Sequence, residues 1–311
     1  MMDVQTGTLT KAYIHLDRLS HNLGILQGLV GDRPMWPAIK ANAYGHGMEI
    51  IARHLVKTGY HTLCLAHVTE AAELLDAGIQ AKYLLLSATS PEQSEQIVAL
   101  GCEPVVCTEA MVAALSLEAK RQGKPVAIHL AVDTGMGRIG IRPDEVLGFL
   151  ERCHAFPALQ VRGLMSHFPC ADMADKTLSN GQIHRFNGVI EAVRTYAVGT
   201  CHMANSAAIL DLPEAAFDAA RPGIAIYGLR PSPTIQNPEV NRLKPVLEWK
   251  SRITFLKEVA AATGLSYGHT YTTQRSSLIA TIPVGYGDGL SRNLSNNIDF
   301  LVAGRRCPQV G

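Results

Sequence analysis

A lysine at the end of a predicted strand has an environment suited to covalent chemistry. Lys40 follows the apolar run WPAI, and by position alone it would be a solvated strand-end residue. The segment AIKANAYGHG, however, places an aromatic hydroxyl, Tyr44, and two glycines directly after it. Glycine lets a backbone approach a ligand closely, and an amine held beside a ligand can act as a nucleophile. The pattern therefore favours a reactive lysine at a ligand site.

Two later segments have the features of a phosphate site. NSAA (205–208) reads as the polar start of a short helix, with Ser206 near its first turn, and RPGIAIYG places Gly223 and Ile224 in a strand or the loop after it. Each segment alone would be an ordinary cap or turn. Barrels often assemble a phosphate site from the loops after their seventh and eighth strands. Together with Tyr44, these residues predict such a cradle.

Three further polar residues fall at predicted strand ends: His167, His202 and Arg221. A lone histidine is more often structural than catalytic, but histidines and an arginine around one barrel mouth can form a buried hydrogen-bond network. The twelve histidines show no HxH or HExxH spacing and no paired histidine and carboxylate spacing. We therefore predict no metal site.

The elements that would position these residues are repeated strand–helix units. Short runs rich in Val, Ile and Leu alternate with helical patterns about eight times, which favours a closed (β/α)₈ barrel of the TIM type. No GxGxxG follows the first strand, which argues against an open dinucleotide-binding sheet. The predicted strands are 34–40, 62–66, 83–88, 103–108, 126–132, 159–167, 199–204 and 219–228.

A second domain follows the barrel. After the Pro-rich stretch GLRPSPTIQNP the pattern changes to strands joined by turns without helices between them. The division is predicted as a barrel over 1–235 and an all-β domain over 236–311. The end, FLVAGRRCPQVG, reads as a strand without a turn or partner after it, so this domain is expected to be incomplete.

Composition narrows the class of protein. The chain has 311 residues, 47% of them hydrophobic, and 28 Lys and Arg against 27 Asp and Glu. Such a chain supports a large core and lacks the general basic surface of a nucleic-acid-binding protein. Seven cysteines without a CxxC pair, a polar N-terminus and no apolar run of membrane-spanning length predict a cytoplasmic protein with reduced thiols. A periplasmic protein whose signal peptide had been removed would read the same way.

The motifs, taken together, resemble those of the alanine racemase family. These pyridoxal-phosphate enzymes combine an N-terminal α/β barrel with a C-terminal β domain. The resemblance runs from AYIHLDRLSHNL at 12–23 to the last residues. The segments that carry it, in family order, are AIKANAYGHG, VDTGMGRIG, MSHF, HMANSAA, RPGIAIYGL, SYGHTYT and IPVGYGDG.

The resemblance implies a role for each matching residue. Lys40 would hold the cofactor covalently, and Tyr267, in SYG, would be the second catalytic base. Arg138 matches an arginine near the substrate carboxylate, and Tyr271 and Tyr286 match positions near the substrate entrance. His202 matches a neighbour of the arginine that faces the pyridine nitrogen. The cofactor-binding matches are Tyr44, His167, Asn205, Ser206, Arg221, Gly223 and Ile224.

The implied reaction interconverts L-alanine and D-alanine, which supplies D-alanine for bacterial peptidoglycan. A proton must leave one face of the α-carbon and return on the other, so two bases are needed, here Lys40 and Tyr267. In the family the tyrosine reaches the other subunit's active site, which implies a head-to-tail homodimer. An arginine at the pyridine nitrogen, in place of an acid, makes a shallower electron sink, and we expect it to suppress side reactions.

One departure from the family keeps an alternative open. Many members have a lysine two residues before DTGMGR that helps to orient the arginine, whereas HLAVDTGMGR has Ala131 there. Arg138 then needs another support, such as a chloride ion, or is less constrained. A broad-spectrum racemase acting on serine or lysine is therefore the nearest alternative. A basic amino-acid decarboxylase is disfavoured by Arg221, and a non-catalytic pyridoxal-phosphate carrier by the second domain.

Overall fold

The computed structural model describes residues 8–196 and 198–311, which form two compact units. One unit spans 15–246, and the other combines 8–14 with 247–311. The observed boundary therefore differs from the predicted division at 235/236. Residues 243–246 stay with the first unit because the buried Asn22 donates to the carbonyl of Lys244 (2.8 Å) and the Val246 N–H donates to Tyr227 (3.0 Å).

A barrel-like parallel sheet is the centre of the first unit. Six strands lie side by side in chain order, and their inward residues form an apolar core that includes Cys64, Leu84, Val105 and Met165. The strands are short and rich in branched residues, as buried parallel strands are. The label β1 belongs to Lys11–Ile14 in the other unit. The six strands of the sheet are β2 (Thr62–Leu65), β3 (Lys82–Leu85), β4 (Glu103–Val106), β5 (Val126–Ala131), β6 (Leu159–Met165) and β7 (Thr200–His202).

Two extended segments continue this sheet at its edges. Ala38 forms a parallel bridge to Cys64 in β2, Ala219 forms one to His202 in β7, and Met35 bridges Ala220, so the two edge segments also pair with each other. The sequence predicted full strands over 34–40 and 219–228, and the structure corrects this to isolated bridges. Prolines at 34, 37 and 222 supply no backbone donor, which interrupts a continuous ladder.

Helices connect the strands, as the periodicity predicted. Gly59 and Gly78, which follow two of them, have φ of 98° and 74°, where glycine is favoured. The second helical segment is a single left-handed turn. The helices are α1 (Leu16–Val30), α2 (Lys40–Tyr44), α3 (Met48–Lys57), α4 (Val68–Asp76), α5 (Ser94–Ala99), α6 (Glu109–Gln122), α7 (Val146–His154), α8 (Thr177–Ala192) and α9 (Ser206–Asp211). No helix in the described residues is long and apolar enough to cross a membrane.

The second unit consists of antiparallel pairs of strands. β1 pairs with β8, which is why the start of the described chain belongs to this unit. The other pairs are β9 with β12, β10 with β11, and β13 with β14. The ranges are β8 (Leu247–Lys250), β9 (Phe255–Val259), β10 (Gly264–Leu265), β11 (Tyr271–Thr272), β12 (Ser277–Thr281), β13 (Asp299–Val302) and β14 (Arg305–Pro308).

The last strand has a partner, contrary to the sequence-based expectation. FLVAGRRC is a hairpin in which β13 and β14 pair in register, Val302 opposite Arg305. The connecting residues Ala303 and Gly304 have φ of 49° and 77°. Two central residues with positive φ match the right-handed twist of the flanking strands, which favours a two-residue hairpin turn.

Candidate active site

Lys40 stands at the start of a left-handed turn at the carboxyl end of the first barrel segment. The four residues after it, 41–44, have φ between 52° and 55°, and Gly45 follows with φ of 86°. Left-handed helical geometry costs a non-glycine residue roughly 1–2 kcal/mol. A turn this strained must be stabilised by contacts with residues outside it.

Two side chains stabilise this turn. The Glu70 carboxylate accepts the N–H of Ala41 (2.6 Å) and the N–H of Ala66 (2.7 Å), which joins the loops after two neighbouring strands. The Asn42 side chain accepts the N–H of Met48 (2.7 Å) at the start of α3. Glu70 could not be predicted from sequence, because nothing local marks a helix glutamate that reaches into another loop.

The environment of Lys40 favours its neutral amine. Burial lowers the pKa of Lys40, and the positive charge of Arg138 lowers it further. Cys64 and Glu70 act in the opposite direction, but the net shift is downward. A lysine with a lowered pKa has a larger fraction of free amine, the form that attacks a carbonyl or accepts a proton.

Three residues of the predicted phosphate cradle lie together at Gly223. The buried Ser206 hydroxyl accepts the N–H of Gly223 (2.8 Å) and the N–H of Ala225 (3.2 Å). A Cβ added to Gly223 would lie 2.6 Å from the Tyr44 hydroxyl oxygen. Only glycine lets the Tyr44 hydroxyl approach this backbone so closely, so the structure brings Tyr44, Ser206 and Gly223 together.

Asn205 and Ile224 are the chain neighbours of Ser206 and Gly223. Asn205 caps α9, its side-chain oxygen accepting the N–H of Ala208 (3.1 Å). Ile224 is not in a strand, because it begins a 3₁₀ turn over Ile224–Tyr227. The hydroxyl of Tyr227 donates to the carbonyl of Ala38 (2.9 Å), which ties this turn to the segment before Lys40.

Arg221 is buried, 3% exposed, and holds a polar network inside the barrel. One terminal nitrogen donates to His202 Nδ1. The other donates to the carbonyl of Ser166 (2.7 Å) and to His167 Nδ1 (3.3 Å). Burial lowers the pKa of Arg221 to about 10, so the guanidinium stays charged near neutral pH.

The third nitrogen of Arg221 has no partner. Nε is buried and makes no hydrogen bond to any residue that the structure describes. A buried donor left without an acceptor costs about 1–3 kcal/mol, so such a group points to a missing acceptor. Pyridoxal phosphate offers a phosphate for the cradle, an aldehyde for Lys40 and an unprotonated ring nitrogen as that acceptor. The residues present therefore fit this cofactor.

His167 is held neutral beside Arg221. Burial lowers the pKa of His167 to about 3, and the charges of Arg221, Arg138 and Lys40 contribute to the shift. Its backbone carbonyl accepts from the Gln182 side chain (3.1 Å). A neutral imidazole next to a fixed cation can accept a hydrogen bond without adding positive charge to the site.

Arg138 lies on an ordered loop after β5 but is itself exposed. Asp133 orders the loop, since its carboxylate accepts the N–H groups of Gly135 and Met136, both at 2.9 Å. Ala131 is buried in the apolar core cluster. In the described part of the chain, no residue forms a hydrogen bond or ion pair with the Arg138 side chain.

The three predicted tyrosines of the second unit have separate positions. Tyr267 begins a 3₁₀ turn over Tyr267–His269 and is 90% exposed, and Tyr271 lies in β11. Tyr286 begins another 3₁₀ turn and is also exposed. The structure therefore brings the cofactor-side residues together within the first unit and leaves the second predicted base on a surface of the other.

Two residues of the barrel interior were missed by the sequence analysis. His129 is 1% exposed and bonds through Nδ1 to His202 Nε2 (2.9 Å) and through Nε2 to Glu103 (3.1 Å). The signal was present, since VAIHLAV has one polar residue in an apolar strand. Among the described residues, no group of three or more His, Cys, Asp or Glu could hold a metal ion.

Comparison with family models matches both parts of the chain. Residues 14–231 match the model described as alanine racemase, N-terminal domain, and residues 246–311 match the model described as alanine racemase, C-terminal domain. The second match begins next to the observed boundary at 246/247.

Relatives and solved structures agree with these matches. The chain is 40% identical to an alanine racemase of Halothermothrix orenii over 305 residues, covering 97% of this chain and 80% of that protein. An alanine racemase structure from Clostridium difficile aligns with a TM-score of 0.93 at 31% identity, covering 99% of this chain and 81% of that one. The alanine racemase from a D-cycloserine-producing Streptomyces lavendulae gives 0.92 at 32% identity, with coverages of 99% and 82%.

Proposed function

The chain belongs to the alanine racemase family, and on that premise we propose how its own residues interconvert L-alanine and D-alanine. The family is pyridoxal-phosphate dependent. The observation that carries the proposal is that Lys40, the Tyr44–Ser206–Gly223 group and the unpartnered Nε of Arg221 all lie within one unit. These are the three chemical groups that the cofactor requires.

Each end of the cofactor has residues to hold it. Lys40 would attach to it covalently, Tyr44, Ser206 and Gly223 would hold its phosphate, and Arg221 Nε would donate to its ring nitrogen. When bound, pyridoxal phosphate makes the α-proton of an attached amino acid acidic. Arg221, already charged, leaves the ring nitrogen unprotonated and so favours return of the proton over side reactions.

Two bases on opposite faces would move the proton. The Lys40 amine accepts a proton from the α-carbon on one face, and the Tyr267 hydroxyl supplies one on the other. One turnover leaves Lys40 protonated and Tyr267 as a phenolate, which is the state that acts on the opposite enantiomer with the roles exchanged; the proton count of substrate and enzyme together is unchanged. An ordinary tyrosine has a pKa near 10, so Tyr267 needs neighbours that stabilise its phenolate, and His167 with Arg221 would provide them.

We further propose a head-to-tail homodimer in which Tyr267 completes the partner's site. The 90% exposure of Tyr267 supports this, because a side chain that serves another subunit must project from its own. We place the enzyme in the cytoplasm, where it would supply D-alanine for peptidoglycan. In this proposal the first unit is a complete (β/α)₈ barrel that holds the cofactor, and the β domain supplies Tyr267.

Tolerance of larger substrates is the second candidate function. Ala131 lies in the apolar core and gives Arg138 neither charge nor hydrogen bond, and Arg138 is exposed. An arginine with fewer constraints can adjust to substrates whose side chains shift the carboxylate. This favours activity on serine or lysine in addition to alanine.

Proton exchange and chirality test the proposal directly. We would incubate L-alanine, L-serine and L-lysine with the protein and pyridoxal phosphate in deuterated water. We expect α-deuterium and D-alanine to appear, and both to vanish in Lys40→Ala, because the base and covalent attachment are lost. Lys57→Ala, at the exposed end of α3, is the control. Cofactor absorbance without exchange of any substrate would reject racemase activity.

A further inference from the structure

A line of polar side chains crosses the barrel interior, where apolar layers are the rule. It runs from Arg221 through His202 and His129 to Glu103 at the start of β4. Both histidines are fully or almost fully buried, with exposures of 0% and 1%. Since the active-site residues lie at the carboxyl ends of the strands, Glu103 lies at the opposite end of the barrel.

The hydrogen bonds of this line have a fixed direction. A guanidinium can only donate, so His202 must accept at Nδ1 and carry its proton on Nε2. That proton points at His129 Nδ1, 2.9 Å away, which must therefore also accept. The proton of His129 is then on Nε2 and is donated to a Glu103 oxygen at 3.1 Å. Every nitrogen in the two imidazoles has a partner of the right kind.

Of these four residues, only Glu103 has a side chain that, when ionised, accepts hydrogen bonds and donates none. Burial lowers the pKa of His129, so this contact is a hydrogen bond from a neutral imidazole to a carboxylate. Burial would raise the pKa of Glu103, but the hydrogen bond from His129 and the charge of Arg162 outweigh it. If Glu103 did not accept the His129 N–H, both imidazoles could adopt the other tautomer. His202 would then carry its proton on Nδ1, directed at the N–H donors of Arg221.

A glycine in β6 leaves space for the hydrogen bond between His129 and His202. β6 lies between the strands that carry the two histidines, and Gly163 is the residue of β6 paired with His129. A Cβ on Gly163 would lie 2.6 Å from His129 Nδ1 and would also collide with the Thr200 carbonyl. The His129–His202 hydrogen bond can therefore cross β6 only where this side chain is absent.

We propose that Glu103 is a positioning residue for Arg221, acting through His129 and His202. By accepting from His129 it sets the tautomer of both imidazoles, and His202 then holds one terminal nitrogen of Arg221. This fixes the rotation of the guanidinium and aims the unpartnered Nε at the ring-nitrogen position. The inference rests on the proposed function for what Arg221 contacts, but the tautomers can be measured without cofactor.

The test compares two changes at Glu103 in the full-length protein. Leu removes the acceptor, whereas Gln keeps an acceptor oxygen and loses the charge. The readouts are imidazole ¹⁵N NMR of histidine-labelled protein without cofactor, and kcat and KM for D-alanine formation with cofactor. Glu95→Leu, at an exposed ion pair of α5, is the matched control.

In the unaltered protein and in Glu103→Gln we expect both histidines to carry the proton on Nε2. In Glu103→Leu we expect mixed tautomers at His129 and a kcat roughly tenfold lower, a loss typical of residues that orient a directly contacting group. KM for alanine should be almost unchanged, because Glu103 lies at the far end of the barrel from the substrate. Glu95→Leu should change neither readout.

Three results would overturn the proposal: unchanged tautomers and kcat in Glu103→Leu, a lower kcat with both tautomers intact, or Gln as damaging as Leu. The second would indicate a packing effect, and the third would indicate that charge matters and not the acceptor. Absence of racemisation in the unaltered protein would reject the proposed function, while the NMR comparison would still decide the role of Glu103.

Discussion

Single residues of the first unit set the protonation states of the site. Arg221 remains a cation in the barrel interior, and this cation lowers the pKa of His167 and His202 on either side of it. Burial is the larger cause for both histidines, since an imidazolium loses its hydration there. The result is one fixed charge surrounded by neutral hydrogen-bonding groups.

A lowered histidine pKa makes folding depend on pH in a defined direction. His167 has a pKa of about 3 when folded, against 6.5 ordinarily. Below about pH 6.5 the His167 imidazole binds a proton in the unfolded chain but stays neutral in the folded chain. The free energy of unfolding therefore decreases as the pH falls towards 3. His167→Gln should make the free energy of unfolding depend less steeply on pH, by up to about 1.4 kcal/mol per pH unit.

Urea unfolding between pH 6.5 and 5 would measure this slope. The exposed His61→Gln is the control, because its imidazole is solvated in both states. Parallel slopes for His167→Gln and the unaltered protein would contradict the prediction.

At the scale of elements, carboxylates order the loops at the active face of the barrel. Glu70, on α4, holds the turn that follows Lys40, and Asp133, after β5, holds the loop of Arg138. Each accepts backbone N–H groups that no regular element satisfies. A strained turn depends on such acceptors to hold its backbone in place.

Removal of the Glu70 side chain should therefore loosen the Lys40 turn. Glu70→Ala leaves the N–H groups of Ala41 and Ala66 without their acceptor, and we expect a loss of about 1–3 kcal/mol in the free energy of unfolding. Racemisation should also slow, because Lys40 is the first residue of that turn. Urea denaturation measures the first effect, with the exposed Glu73→Ala of the same helix as control. Equal stability of the two variants would show that the turn does not depend on Glu70.

At the scale of the whole molecule, the two proposed bases lie in different units of one chain. Lys40 lies in the unit of residues 15–246, and Tyr267 lies in the unit that contains 247–311. A site shared between subunits makes a strong prediction for mixtures of variants. Each variant dimer alone would lack a base at both sites.

Mixing Lys40→Ala with Tyr267→Ala should restore activity. In a head-to-tail dimer of one variant with the other, one site has both bases and the second has neither. If the subunits exchange at random, half of the dimers are mixed, so about a quarter of the original activity should return. Activity of the mixture after refolding together, compared with each variant refolded alone, is the measurement. No recovery would mean that both bases come from one chain.

The site could be predicted from sequence where its residues are close together along the chain. AIKANAYGHG, NSAA and RPGIAIYG each contain several polar or glycine residues in a short span, and the strand and helix periods were correct for the interior of the sheet. Glu70 and Glu103 could not be found this way. Each acts on a residue of a different loop or strand, and their distance along the chain carries no signal of the contact.

The sequence by itself determined the family and the parallel strand–helix architecture, and it predicted the lysine with its phosphate cradle. The architecture follows from the hydrophobic period, and the family from the resemblance of local motifs. Only the tertiary structure decided that the first and last barrel segments pair through isolated bridges, that β1 joins the second unit, and that β14 has a partner. It also decided the direction of the polar line through the barrel, because hydrogen-bond direction depends on which donor and acceptor atoms meet after folding.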